Sequence, residues 1–284
     1  MRTHPVLLVA VSLLGQAAAG SVYAQIPSFA AQGRVARAAP AVGVASTDSG
    51  TAAVELHAET RLVSRYIWRG FDDSRNTPSI QPWIELSLPL GFTVNAFGSS
   101  GVDRHMQLDE AQLGFGYKRE LGDWELGAGY LHYILPGTET EPSPSEDPLM
   151  TTSSGEYFLS LTRNWERGYA TLTYSRGNRA GKGNSVNLWV EQDYSWGGER
   201  WEAQPYLQVD YLDEYGAPAG FENRLSMIEF AVPVMVRVGP VKLLAAAQVS
   251  FIPSPYVRAS NRLAGATGDI ALPWFSIGVV YERD

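Results

Sequence analysis

The sequence has no cysteine in 284 residues. That excludes a disulfide framework, a thiolate metal site, a cysteine nucleophile and a lipid-attachment cysteine. Charge is sparse as well: 18% of residues are Asp, Glu, Lys or Arg, and 30 acids against 22 bases leave a formal charge of −8. An acidic balance offers no basic face for phosphate, so no nucleic acid is expected as a partner. Long hydrophobic runs are missing too. Beyond the N-terminus there is no apolar stretch of about 18 residues or more, so no helix of the usual kind spans a membrane. Yet 45% of the chain is hydrophobic, with 8 Trp, 14 Tyr and 10 Phe. This is too apolar for a disordered polymer, and these residues need a destination.

Residues 1–24 read as a secretory signal peptide. Arg2 supplies the positive start, Val6 to Leu14 the apolar centre, and Val22-Tyr23-Ala24 the small or compact residues of a cleavage site before Gln25. Arg2 is the only charged residue in this segment, so removing it takes the chain from −8 to −9. Residues 25–53, rich in Ala, Gly, Ser and Pro, keep no sustained period and read as a flexible periplasmic leader.

From Val54 to the end, residues 54–284, alternation dominates. Val54, Leu56, Ala58, Leu62, Tyr66 and Trp68 fall on one face of an extended strand, and Glu55, His57, Glu59, Arg61, Arg65 and Arg69 on the other. The pattern recurs in eleven further segments, to Pro273–Tyr281, and is diluted in Phe92–Gly98, Tyr157–Leu161 and Ala170–Tyr174. Most run longer than the 5–6 residues usual in soluble strands and match the roughly 9–11 of tilted membrane strands. Five short turns, at 89–91, 120–123, 164–168, 195–199 and 239–240, interleave with six longer loops. The expected fold is all-β: a closed antiparallel transmembrane β-barrel of about 12 strands, with short periplasmic turns and long external loops. Lipid offers backbone amides no partner, so such a sheet must close. Pro82, Pro205 and Pro233 each remove a ladder donor and are expected at bulges or strand ends.

Aromatic rings on the lipid-facing side should gather at the two interfacial heights. With odd strands running outward, Phe92, Tyr117, Trp124, Tyr194, Trp201 and Tyr281 fall at periplasmic ends, and Trp68, Tyr211 and Phe251 at external ends. Trp201 and Tyr211 are ten residues apart on one face. That spacing is about 33 Å along a strand, or ~25 Å vertically after tilt, the height of a barrel's apolar band. The expected surroundings are outer-membrane lipid and lipopolysaccharide in a Gram-negative-type cell, reached through the outer-membrane assembly machinery. Assembly signals usually end on an aromatic residue; here Tyr281 is followed by Glu282-Arg283-Asp284.

One stretch is similar to a known family. Ser64, Tyr66, Arg69 and Gly70 reproduce a Ser-x-Tyr-x-x-Arg-Gly opening, followed by Pro78-Ser79-Ile80-Gln81. Gly129-Tyr130, Tyr133 and Pro136-Gly137 reproduce a Gly-Tyr-x-x-Tyr-x-x-Pro-Gly close. The chain in this way resembles the Gcw_chp family of predicted bacterial outer-membrane barrels, closely over 54–137 and by layout beyond. Asn76-Thr77-Pro78 departs from the family's Lys-Pro turn, and Trp68 replaces a smaller residue. The resemblance implies a barrel and a location, and leaves the activity open.

If apolar faces meet lipid, the inward set includes Arg61, Arg65, Arg69, Glu59, Glu85, Glu110, Glu125, Glu191 and Glu229, with acids in excess. The three arginines sit four residues apart, a ladder with about 13 Å between neighbours on a continuous strand. Such a ladder facing an acidic wall either sets a transverse field across a narrow aqueous constriction or forms ion pairs that hold the barrel shut. Inward Gly114, Gly116, Gly127, Gly129 and Gly278 either thin the wall or make room for large neighbours. The loop Pro136–Ser154, with Glu139, Glu141, Glu146 and Asp147, reads as a solvated surface loop.

A barrel lipid hydrolase would need a serine, a histidine base and an orienting group. Only His57, His105 and His132 remain outside the signal, and no His-x-Ser-Asn-Gly pattern accompanies them. No enzyme activity, metal or cofactor is expected. The function expected is a narrow porin-like channel for small hydrophilic solutes, the alternative a closed barrel with a structural or surface-interaction role.

Overall fold

Alternating strands leave no edge only if the first pairs with the last, and here they do. The computed structural model describes residues 54–102, 108–134, 153–178, 183–198, 200–213 and 224–283. Residues 1–53, read from the sequence as signal and leader, together with His105, the Ser154 side chain and nearly all of the loop 136–154, lie outside this description. Twelve strands form the wall: β1 (Glu55–Val63), β2 (Ser79–Ser87), β3 (Phe92–Gly101), β4 (Leu108–Leu121), β5 (Trp124–Ile134) and β6 (Ser153–Trp165). They continue as β7 (Gly168–Asn178), β8 (Gly183–Gln192, extended by Tyr194–Trp196) and β9 (Trp201–Ala203, then Tyr206–Asp213). The last three are β10 (Arg224–Val238), β11 (Val241–Phe251) and β12 (Ala271–Arg283). Each pairs antiparallel with its neighbours in sequence, and β1 closes on β12 with Leu56 opposite Arg283 and Val63 opposite Ser276.

Side-chain parity divides the two faces. On β6, Tyr157, Leu159 and Leu161 are exposed while Glu156 and Phe158 are buried, and on β8 Val186 and Leu188 are exposed over buried Asn187 and Trp189. The apolar face points outward and the polar face inward, the inverse of a soluble barrel. All five short connections open one end, the turn end, where both β1 and β12 also terminate; the long connections lie at the other, the loop end.

The prolines sit where the ladder tolerates them. Pro205 occupies the break inside β9, Pro233 lies opposite that break with its carbonyl accepting from the Gln204 N–H, and the β2–β3 register is interrupted between Ile80 and Trp83, around Pro82. Inward glycines accommodate neighbours. A Cβ on Gly129 would lie 2.4 Å from the Phe158 ring and 2.5 Å from the Phe115 carbonyl, and one on Gly114 would lie 2.3 Å from Asn95. The wall is thin at these points and the gap is filled.

The first strand departs from expectation. It ends at Val63, not at Arg69, and the chain then turns into the barrel, where Ile67–Trp68 and Phe71–Asp72 pair as a two-residue ribbon. The turn is made by Arg69 and Gly70, with φ of 46° and 91°. A side chain at Gly70 would be strained by that φ and would meet the Ser226 carbonyl at 2.8 Å. The connection 252–270, expected as a loop, contains helix α1 (Pro255–Leu263), capped by Ser254, whose hydroxyl accepts the Val257 N–H, and started by Pro255.

Ribbon and helix build an apolar core inside the loop end. Tyr66, Ile67, Trp68 and Phe71 from the inserted segment pack with Val63, Phe97, Leu131, Tyr133, Leu212, Met227, Ile252, Val257 and Leu272. Burying each such side chain contributes roughly 1.5–3 kcal/mol. Tyr66 and Trp68, read from sequence as lipid-facing, are thereby moved indoors: Trp68 is 1% exposed and is not a girdle residue. Its physical reason is this pocket of inward apolar side chains, which offers the ring a denser contact than lipid does.

Gly129→Ala is expected to destabilise the barrel by about 1–3 kcal/mol, because one contact is backbone and cannot move aside cheaply. The check is the urea midpoint in lipid vesicles, and an unchanged midpoint would contradict this packing.

Candidate functional site

Three layers of side chains fill the barrel. At the turn end lies an ionic rim: Lys242 Nζ is 2.8 Å from Glu202 and 3.0 Å from Glu282, Arg237 is 3.5 Å from Glu202, and His57 is 3.6 Å from Glu282. Glu85 joins it from β2, 3.8 Å from Lys118. These charges sit on strands far apart in sequence and meet because their parity and height agree.

The middle layer is a cavity with aromatic walls. Trp83 faces it from β2, and Trp189, Tyr206 and Trp274 face it from β8, β9 and β12, above a floor and sides that include Glu59, Arg61 and Glu229. The cavity has a volume of about 80 Å³. Trp189 and Tyr206 stack with centroids 4.0 Å apart. The Tyr206 hydroxyl lies 2.8 Å from Glu229 Oε1 and 2.9 Å from Gln248 Oε1, and Ser250 donates to Glu229 Oε2 at 2.6 Å. Trp274 Nε1 donates to Ser250 at 3.0 Å. This polar chain runs across β9, β10, β11 and β12, so it fixes the rings as well as the carboxylate.

At the loop end is the inserted segment, held by one buried ion pair. Arg69 and Glu156 are both fully buried, with Nη2 2.8 Å from Oε1 and Nη1 3.4 Å from Oε2. The guanidinium also lies 4.6 Å from the centre of the Trp68 ring. A second tie comes from α1: Asn261 Nδ2 donates to the Gly70 carbonyl at 2.9 Å, and the Asp72 N–H donates to Asn261 Oδ1 at 3.0 Å. Arg65 Nε is 3.5 Å from Asp72 Oδ2.

The arginines are thus not rungs on one strand. Arg61 lies on β1 and pairs with Glu59, whereas Arg65 and Arg69 belong to the inserted segment. A carboxylate stands against each, because charges withdrawn from water need partners. Glu110 accepts from Gln112 at 2.7 Å and Glu191 from Trp189 at 3.3 Å, both buried on the inward parity; Glu125, also inward, is half-buried near the turn end. His57 is inward and 4.8 Å from the Trp83 ring, and His132 is half-buried on the outward parity.

On the outer surface, Phe92, Tyr117, Trp124, Tyr194 and Trp201 are exposed near the turn end, with Tyr281 half-buried beside them; Tyr211 and Phe251 are exposed near the loop end. Phe92 and Tyr117 pack at 5.2 Å, and Trp196 stacks on Trp201 at 6.4 Å. Trp165 and Trp196 near the turn end and Tyr157 near the loop end are exposed as well, and parity alone would have found them.

The carboxyls of Asp72 and Asp73 lie in the inserted segment. Burial raises Asp72 above the ordinary range, against the lowering effect of the Asn76 N–H and Arg65; burial together with Asp72 raises Asp73 well above it, against Arg75. A raised carboxyl favours the docked segment at low pH, and that contribution is lost as pH rises through the raised value. Relative to Asp73→Asn, the wild-type urea midpoint is expected to fall as pH increases above the normal carboxyl range. A constant difference between the two would contradict the assignment.

A family model described as bacterial protein of unknown function, Gcw_chp, matches residues 47–195. No curated protein sequence matches the chain. Among solved structures, the NanC porin superposes with a TM-score of 0.52 at 10% identity, covering 80% of this chain and 100% of that one. The KdgM porin superposes with a TM-score of 0.50 at 10% identity, covering 80% and 99%. At these identities the similarity establishes the fold, a porin-like barrel, and nothing about a solute.

Proposed function

The chain belongs to the Gcw_chp family of bacterial proteins of unknown function, and from that premise we propose that it is an outer-membrane barrel acting as a narrow channel for small hydrophilic solutes. The observation that carries the proposal is a buried polar parity enclosing a cavity between the ionic rim and the inserted segment. A barrel that only needed to be filled would be cheaper to fill with apolar side chains, since buried charges gain little over well-packed hydrophobic ones. Residues 1–24 direct export, 25–53 remain periplasmic, and 54–284 assemble into the outer membrane against lipid and lipopolysaccharide with the help of the assembly machinery. We infer no catalytic role: His57 faces inward and His132 lies on the outward parity, so these two do not share a reaction centre.

The second reading, a closed barrel with a structural or surface role, is favoured by the Arg69–Glu156 pair and the apolar core around it. That core fills the loop end, so conduction requires the ribbon to shift.

Planar-bilayer recording of refolded protein separates the two. Small ohmic steps are expected, more frequent after Arg69→Ala with Glu156→Ala, because removing both partners of the pair frees the ribbon. Replacing Arg61 with Ala should raise cation preference. No steps in wild type or double variant would remove the channel.

A further inference from the structure

Residues 64–78 leave β1, fold into the loop end and return to β2 through Arg69, Gly70, Arg75 and Asn76, with φ of 46°, 91°, 53° and 64°. Three of these four are not glycine, and such a backbone persists only while its surroundings hold it. The polar ties that hold it are the Arg69–Glu156 pair, the Asn261 clasp and Asn76 Oδ1, which accepts the Thr267 N–H at 3.4 Å. Beneath the segment lies Ser226, fully buried, whose carbonyl a Cβ on Gly70 would meet at 2.8 Å.

Two adjacent carboxyls in this segment have unequal surroundings. Asp72 accepts the Ser74 hydroxyl at 3.1 Å and the Asn76 N–H at 3.3 and 3.2 Å, and Arg65 stands 3.5 Å away. Asp73 donates its own N–H to the Tyr66 carbonyl at 3.0 Å, but its Oδ2 is closed to water and has no hydrogen-bond partner among the described residues. An oxygen so placed is tolerated in a neutral carboxyl and penalised in an anion. The charges acting on it belong to its own segment: Asp72, which repels a second anion, and Arg75, which attracts one. The elements packed around the segment direct their charges elsewhere. On α1, Asn261 binds the Asp72 N–H, Arg258 donates to the Ile252 and Pro253 carbonyls, and Arg262 lies against Gly268. After α1, Asp269 is exposed. On the inner side Arg69 faces Glu156 and Asp210. Burial accordingly raises the Asp73 carboxyl well above the ordinary range.

We propose that the inserted segment is a proton-operated cover of the loop end: with Asp73 neutral it stays docked over Ser226, and ionisation of Asp73 releases it. The docked form binds this proton more tightly than the released one. Docking is therefore strongest in acid and weakens, by at most about tenfold per pH unit, between the normal carboxyl value and the raised one. As a gate the cover rests on the channel reading, since only a pore gives release a consequence for solutes, but release itself is measurable without conduction.

The test is thiol labelling of the refolded full-length Ser226→Cys barrel with a small methanethiosulfonate reagent, from about pH 5 to about pH 9. It is run alone and combined with Asp73→Asn, which keeps the shape of the side chain and cannot ionise. Dividing the first labelling rate by the second at each pH cancels the titration of the thiol. That ratio should rise severalfold or more with pH, by at most about tenfold per unit. Heat-shifted electrophoretic mobility identifies folded variants, and Met227→Cys, in the apolar core that the segment packs on, serves if Ser226→Cys does not fold. A ratio independent of pH overturns the cover, whether or not bilayer recording finds a channel. A rising ratio, with ohmic steps that become more frequent as pH rises in wild type and not in Asp73→Asn, upholds the cover as a gate. A rising ratio without steps at any pH upholds the release and removes the channel.

Discussion

Backbone hydrogen bonding between β1 and β12 is the constraint from which the rest follows. Among the described residues each of the twelve strands of the wall has two neighbours, and only a closed sheet can carry its apolar face outward into lipid without stranding polar backbone. Closure fixes the register, register fixes parity, and parity sends Leu159 and Leu161 outward while it sends Glu156 and Phe158 inward. One residue of slip would reverse the whole strand. The hydrophobic content that no helix could hold is therefore accounted for by geometry.

Closure also creates the problem of the interior. Twelve strands enclose too little space for a wide aqueous pore and too much for backbone contact alone. The barrel answers differently at three heights: paired charges at the rim, rings and amides in the middle, and an apolar core with one buried ion pair at the loop end. Replacing a single partner of that pair would leave a charge in a dry site, at a cost of about 3–5 kcal/mol. The inserted segment is thus held by an all-or-none contact, with Asn261 of α1 as a second clasp. Tethering at two points, to Glu156 on β6 and to Asn261 on α1, keeps the ribbon inside without covalent help, in a chain that has no cysteine.

Much of the wall was legible in the sequence, and for a physical reason: strand parity has a period of two wherever one face meets lipid, and short turns carry Gly or charge. The strands, their alternation of connections and the inward placement of Glu59, Glu85 and Glu229 follow from that period alone. The ribbon was not legible from it. Ser64 to Phe71 keeps the same alternation as β1, so Tyr66 and Trp68 looked like a continuation of the outer face; the turn at Arg69 and Gly70 depends on what receives them. A signal was present elsewhere. Phe97, Leu131, Tyr133, Leu212, Met227 and Leu272 are apolar residues on the polar parity, all near the loop end, and together they announce an interior core needing contents. The cavity was illegible for another reason: Gln81, Tyr206, Gln248 and Trp274 lie on four strands, and only closure brings them to one height.

Because the chain lacks cysteine, single cysteines can be introduced along β6 and spin-labelled in lipid vesicles, which tests the lipid-facing parity directly. Labels at 157, 159 and 161 should be accessible to dissolved oxygen and shielded from a water-soluble nickel reagent, with low oxygen accessibility at 156, 158 and 160 between them. A flat profile along these positions, or the opposite alternation, would contradict a barrel that carries its apolar face to lipid.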